Sequence, residues 1–251
     1  MKKKNNITIN VVTIFPEMFK TILKYGIIKK SIKLKMLKIK FWNPRNFVKK
    51  KNENIDDTPY GGGPGIIMKP YPLYNTIKYI KSLYKKKNIK TIYLTPQGKK
   101  INKKNILNIL KFKNIILVCG RYEGIDERII LKEIDEEISI GDYVLTGGEI
   151  PSMVLIECII RFIPGIIKKK CISEDSFFNG LLDYPNYTKP RIFKGMKVPK
   201  ILLSGNHKNI KLWKIKESLR ITLLKRPDLF KKKFKKAKNK ILKIFQTKYT
   251  K

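Results

Sequence analysis

An alternation of two periodicities constrains this chain most. Five short runs rich in β-branched residues (ITINVVTIF, LKIKFW, IKTIYL, NIILVCG and EISI) are interleaved with segments whose apolar residues recur at helical spacing. Those segments are EMFKTILKYG, YPLYNTIKYIKSLY, NKKNILNIL, IDERIILKEI and PSMVLIECIIRFI. Strand, helix and strand in that order make parallel pairs joined by crossovers, so the fold class expected is α/β, a mostly parallel sheet with helices on both faces. Pro16 marks the start of the first helix, whose apolar spacing runs up to Gly26. The α/β part is expected over residues 1–165. Beyond it, KKKCISEDSFFNGLLDYPNYTKPRIFKGMKVPK has little periodicity and many Pro, Gly and Asn residues, which reads as an interdomain linker over residues 166–199. HKNIKLWKIKESLRITLLKRP and DLFKKKFKKAKNKILKIF then read as helices with basic outer faces, a small helical domain over residues 200–251.

Charge narrows the partners. With 57 Lys and Arg against 19 Asp and Glu, the formal charge of +38 exceeds what solubility requires and predicts attraction to a polyanion. Lys, Ile and Asn are also heavily used on solvent faces, so a genome rich in A and T is a second source of the lysines. Cys119, Cys158 and Cys171 lie far apart and His207 is the only histidine, which supports neither a zinc site nor a disulfide framework and suits a reduced cytoplasmic setting. MKKKNNITINVVTIFPEMF opens like a signal peptide, but Asn10 interrupts its apolar run and Pro16 and Glu17 stop it, so it reads as a first strand. No stretch approaches the roughly 18 to 20 uncharged apolar residues of a membrane span.

One region departs from this basic character. Between Glu123 and Glu157 lie ten acidic residues and only two bases, Arg128 and Lys132, and SIGDYVLTGGE within it carries three glycines and no lysine. Ligands of open α/β sheets bind at the carboxyl ends of the strands, where four glycine-containing turns are expected: DDTPYGGGPG, LTPQG, CGRYEG and SIGDYVLTGGE. Glycine there lets backbone approach a ligand closely. The first strand-to-helix turn, TIFPEMF, has no glycine fingerprint for a dinucleotide, and no P-loop occurs. A cationic or neutral ligand suits these turns better than a phosphate. Four ordinary tight turns are the competing reading.

DDTPYGGGPGIIM, VCGRYEGIDERI, SIGDYVLTGGEIPSMVLIECIIRFIPG, EDSFFNGLLDYPNYTKP and LLSGNHKNIKLW closely resemble the bacterial tRNA (guanine-N1)-methyltransferase family, TrmD, from TIFPEMF to LLKRPDL. The resemblance implies a SPOUT-class α/β domain with a deep trefoil knot, which periodicity does not reveal and which general rarity argues against. It also implies S-adenosylmethionine as cofactor, held by Tyr93, Leu94, Thr95, Pro96 and Gly98, by Gly120 and Glu123, and by Ser139, Ile140, Gly141, Asp142, Tyr143, Val144, Leu145, Gly147 and Gly148. A sulfonium cation explains why those loops lack lysine while the remaining surface attracts tRNA. The implied reaction methylates N1 of guanosine 37, with Asp175 of EDSF as the base and Arg161 of IIRFIPG orienting it or stabilising charge on the guanine O6. Read from position alone, Asp175 could cap a helix and Arg161 could neutralise a helix C-terminus.

Asp183 and Tyr187 are expected to shape the site, and Tyr60 with Gly61, Gly62 and Gly63 to meet a base extruded from a single-stranded loop. Asn186 stands where the family often has histidine, so no histidine role carries over there. His207 reads as structural or as an RNA contact. The family also implies Mg²⁺, for which the sequence shows no carboxylate cage, and a homodimer with its active site at the subunit interface. A ribose 2′-O-methyltransferase and a non-catalytic RNA-binding module are the alternatives. The first would carry a different motif in place of EDSFFNGLLD, and the second a damaged cofactor pocket.

Overall fold

The computed structural model describes residues 6–48, 50, 53–84 and 88–234. The chain divides into two compact units after Ile167. In the first, β1 (Ile7–Val12) leads through a 3-10 turn at Pro16–Phe19 into α1 (Lys20–Lys24) and α2 (Gly26–Lys33), followed by β2 (Leu37–Trp42). A two-residue antiparallel ladder, β3 (Asp56–Asp57) with β4 (Ile67–Met68), precedes α3 (Pro70–Leu83). Then come β5 (Ile89–Lys100), α4 (Lys103–Ile109), β6 (Asn114–Val118), α5 (Glu127–Glu133), β7 (Glu136–Ser139) and α6 (Glu149–Arg161). The second unit holds α7 (Lys169–Glu174), a small hairpin of β8 (Ile192–Phe193) and β9 (Met196–Lys197), α8 (His207–Lys225) and α9 (Pro227–Lys233).

The central sheet has the order β2-β1-β6-β5-β7, and every pairing in it is parallel. Alternation along each strand divides two cores. Ile7, Ile9 and Val11 of β1 and Ile115 and Leu117 of β6 enter one core with residues of α2, α4 and α6, while Val12, Ile116 and Val118 enter the other with residues of α3 and α5. Both faces of the sheet are therefore covered, as the near-continuous apolar strands require. The single helix expected from EMFKTILKYG is instead a 3-10 turn and two short helices. Gly26, at φ +59°, starts the second of them, because its positive φ breaks the earlier helical path and redirects the chain.

LTPQG also differs from a turn that ends a strand. β5 continues through it to Lys100, and both Leu94 and Lys99 pair with Ile138, so residues 95–98 form an excursion out of one strand. Gly98 closes that excursion. A β-carbon there would lie 2.5 Å from the Glu137 carbonyl carbon and 2.7 Å from that of Ile138. The basic segment expected as a last helix is helical over α9, and its positions beyond 234 lie outside the described residues.

Gly98→Ala is expected to lose about 1–3 kcal/mol of stability, because the obstacle is backbone and cannot rotate away. Urea denaturation of the two proteins checks this, and equal midpoints would show that the β5–β7 contact at Gly98 has room.

Candidate active site

Three chain segments, the excursion within β5 and the stretches that follow β6 and β7, surround a cavity of about 260 Å³ in the first unit. Of the residues expected to hold a cofactor, Tyr93, Leu94, Thr95, Pro96, Gly120, Glu123, Ser139, Ile140, Gly141, Tyr143, Val144, Leu145, Gly147 and Gly148 line it. Gly98 and Asp142 do not: Gly98 packs against the backbone of β7, and the Asp142 carboxylate pairs with Lys100. Gln97, Tyr122, Gly124, Ile138 and Pro151 complete the wall. Three of them carried a signal in the sequence, since Gln97, Tyr122 and Gly124 lie inside the glycine turns already singled out. Ile138 and Pro151 read only as strand and helix residues.

The lining contains no Lys, Arg or His, and Glu123 is its one acidic side chain. Its walls are close to backbone. A β-carbon on Gly120 would come within 2.8 Å of the Tyr93 hydroxyl, and one on Gly148 within 2.7 Å of the Cys119 α-carbon. The Gly148 N–H donates to the Gly120 carbonyl at 2.8 Å, and Arg121 and Gly147 form an antiparallel bridge, so the segments after β6 and β7 are joined. Burial, with the Glu137 charge adding to it, pushes the Tyr93 phenol up to about 12. It remains a neutral polar group beneath the 120–124 loop at any physiological pH.

Behind this junction lies a buried ion pair that the sequence reading missed. Glu149, in the first turn of α6, is fully buried. It accepts a hydrogen bond from the Thr13 hydroxyl at 2.7 Å, and its other oxygen lies 2.8 Å from Arg121 Nε. The Nε–H does not point along that line, so the contact is an ion pair rather than an aligned hydrogen bond. Phe15 covers the guanidinium at 4.6 Å, and a guanidinium nitrogen lies 3.2 Å from Met18 Sδ. One carboxylate thus gathers the end of β1, the loop after β6 and the start of α6. No periodicity or spacing announces such a pair.

The glycine-rich loop expected to meet the substrate base joins the cavity wall. Tyr60 is fully exposed, and Gly61, Gly62 and Gly63 all have positive φ. At the base of the loop, the Glu123 N–H donates to the Ile66 carbonyl at 3.0 Å, and Gly65 lies against the Glu123 side chain.

Arg161 stands in the last turn of α6, in the first unit. Asp175 follows α7 in the second unit, where its N–H donates to Ile172 and its carbonyl accepts from the Phe178 N–H. The Asp183 carboxylate accepts from the Tyr184 N–H at 2.8 Å and from Asn186 Nδ2 at 3.2 Å, so Asn186 tethers it. The Tyr187 ring lies 6.4 Å from that of Trp213. His207 is exposed at the first position of α8, a helix capped by Asn206. Among the described residues no cluster of three His, Cys, Asp or Glu side chains could hold a metal ion.

A family profile described as tRNA (Guanine-1)-methyltransferase TrmD matches residues 7–232. The chain is 59% identical over 233 residues to the tRNA (guanine-N(1)-)-methyltransferase of Buchnera aphidicola subsp. Schizaphis graminum (strain Sg), covering 92% of this chain and 88% of that one. A protein of the same name from Buchnera aphidicola subsp. Acyrthosiphon pisum (strain APS) is 58% identical over 93% of this chain and its own full length. Another from Haemophilus influenzae (strain PittEE) is 50% identical over 88% of this chain and 90% of its own.

Removing Glu149 alone would strand the Arg121 charge. Glu149→Leu is expected to lose about 3–5 kcal/mol, whereas Arg121→Met combined with Glu149→Leu recovers much of that loss. Denaturation of the single and double variants measures the coupling; a purely additive pair would show that the two groups do not depend on one another.

Proposed function

The chain belongs to the tRNA (guanine-1)-methyltransferase family, and from that premise we propose that it moves the methyl group of S-adenosylmethionine to N1 of guanosine 37 in tRNA. The observation that carries the reading is the cavity: glycine-walled, joined from three loops and free of cationic side chains. Such a wall fits a sulfonium compound, because no fixed positive charge on its lining opposes it. When bound, S-adenosylmethionine supplies an electrophilic methyl group. Relatives named as guanine-N1 enzymes at 49–59% identity disfavour the ribose 2′-O-methyltransferase reading.

Guanine N1 carries a proton at neutral pH and attacks a methyl group only as that proton leaves. Asp175 takes it, a step worth roughly 100- to 10,000-fold in rate. Arg161 supplies a fixed cation for the charge that develops on O6. Asp183, held by Asn186, and Tyr187 shape the approach, and Tyr60 with Gly61, Gly62 and Gly63 receives the extruded base. No step is assigned to Mg²⁺, since the described residues offer it no cage. tRNA meets Lys208, Lys211, Lys216 and Lys225 on α8, and Lys231 and Lys232 on α9, all exposed. The corresponding division is a catalytic α/β domain over residues 1–165, a reaching linker over 166–199 and a tRNA-binding domain over 200–251. The setting is cytoplasmic, and among the described residues no helix is long and apolar enough to cross a membrane.

Two finer features belong to this reading. The first unit carries the SPOUT trefoil knot, a reading supported by the Gly120–Gly148 bond that joins the segment after β7 to the loop after β6. The protein works as a homodimer in which each cavity is completed by Asp175 of the partner subunit. Ile150 and Val154, 49% and 38% exposed one turn apart on α6, supply an apolar stripe for such an interface.

Incubation with labelled S-adenosylmethionine and tRNA is expected to give 1-methylguanosine; a 2′-O-methyl product or no transfer would overturn the reading. Asp175→Ala is expected to abolish transfer while calorimetry still detects cofactor binding, and loss of both together would make Asp175 structural. Mixed dimers of Gly148→Trp and Asp175→Ala subunits, each inactive alone, are expected to regain one working site. A dead mixed dimer, purified through two tags, would confine Asp175 to its own subunit.

A further inference from the structure

Asp175 and Asp183 are the two ends of a single loop, residues 175–183, and the residues flanking that loop touch. The Tyr184 hydroxyl donates to Glu174 Oε2 at 2.6 Å, and the Lys214 ammonium reaches the same carboxylate oxygen at 3.3 Å while also donating to the Tyr184 hydroxyl. Within the loop, the Asp183 N–H donates to Ser176 Oγ at 2.9 Å, and the Phe177 N–H to the Leu181 carbonyl at 2.7 Å. Two more bonds attach it to α8: the Leu182 N–H donates to Thr222 Oγ1 at 2.8 Å, and Ser218 Oγ donates to the Leu182 carbonyl. Lys214, Ser218 and Thr222 follow one another at steps of four residues, so they form one stripe of the helix. Lys214 is half-buried, whereas Lys208, Lys211, Lys216 and Lys225 of the same helix are exposed.

We infer that Lys214 is a positioning residue: with Glu174 and Tyr184 it locks the neck of the 175–183 loop onto α8 and fixes where Asp175 is held. The inference rests on the reading that Asp175 takes the N1 proton. It separates one lysine of the basic helix from its neighbours, because an ammonium already shared between a carboxylate and a phenol is turned toward its own chain. The catalytic loop and the tRNA-binding helix thereby become one mechanical piece, so that placing the helix on tRNA also places the carboxylate.

Amide hydrogen exchange, kcat at saturating tRNA and cofactor, and the salt dependence of tRNA affinity test this in Lys214→Met, Lys214→Arg, Glu174→Gln and Tyr184→Phe. Lys214→Met is expected to speed exchange at residues 176–183 while α8 stays protected. It should lower kcat roughly tenfold, the scale of a small misplacement of a reacting group. The salt slope should stay unchanged, and Lys214→Arg should restore both readouts. Glu174→Gln and Tyr184→Phe are expected to act in the same direction without removing a positive charge. Unchanged loop exchange would overturn the inference. So would a salt slope reduced by about one with kcat intact, the signature of a phosphate contact. If Lys214→Met loosens the whole unit, Tyr184→Phe, which deletes one hydroxyl, carries the comparison. Asp175→Asn separates the two readings: if it keeps full turnover, Asp175 is not the base, and loop exchange still decides whether Lys214 locks the neck.

Discussion

A carboxylate with no exposure to solvent sits at the head of α6, and the geometry of the cavity follows from how its charge is satisfied. Glu149 is compensated from three directions: the Thr13 hydroxyl at the end of β1, the Arg121 side chain from the loop after β6, and the positive end of its own helix. Each compensating group belongs to a different chain segment, so satisfying one charge brings three segments to one point. The glycines then decide how near they come. Gly147 lies against the Arg121 side chain and Gly148 against the Cys119 backbone, distances that leave no volume for a side chain.

The molecule keeps two electrostatic regimes apart. The excess of lysine and arginine is spread over exposed helix faces, while the cavity wall has none of it. Arg121, whose neighbours Gly120 and Tyr122 line the wall, is already matched by Glu149. A polyanion and a sulfonium compound can then be attracted by one strongly basic chain without competing for the same surface.

Much of the fold was legible because each strand is short and apolar and each crossover helix has one apolar stripe. β1, β2, β6 and β7 fall on ITINVVTIF, LKIKFW, NIILVCG and EISI. What was not legible has a common cause: it depends on partners distant in sequence. Nothing local in IKTIYLTPQGKK says that its second half returns to the same β7 residue as its first, and nothing in CGRYEG says that its arginine meets a glutamate 28 positions later. The first helix failed for a different reason. Its apolar spacing is compatible with one continuous helix, and only the backbone at Gly26 breaks it in two. At the candidate site, the glycine turns and the missing lysines pointed to the cavity, but the roles given to Asp175 and Arg161 came from family resemblance, since an acid after one helix and an arginine ending another carry no signature of their own.

The excursion in β5 has an evolutionary side. Leu94 and Lys99 pair with the same Ile138, so the ladder is anchored immediately before and immediately after residues 95–98. A segment held in this way behaves as a replaceable part: residues added to its middle change neither flanking pair, and lengthening a loop raises the entropy of closing it only slowly. Three of its four residues, Thr95, Pro96 and Gln97, face the cavity. The depth and polarity of the pocket can therefore diverge among descendants of this chain through insertions at one position, while the sheet that carries it retains its register.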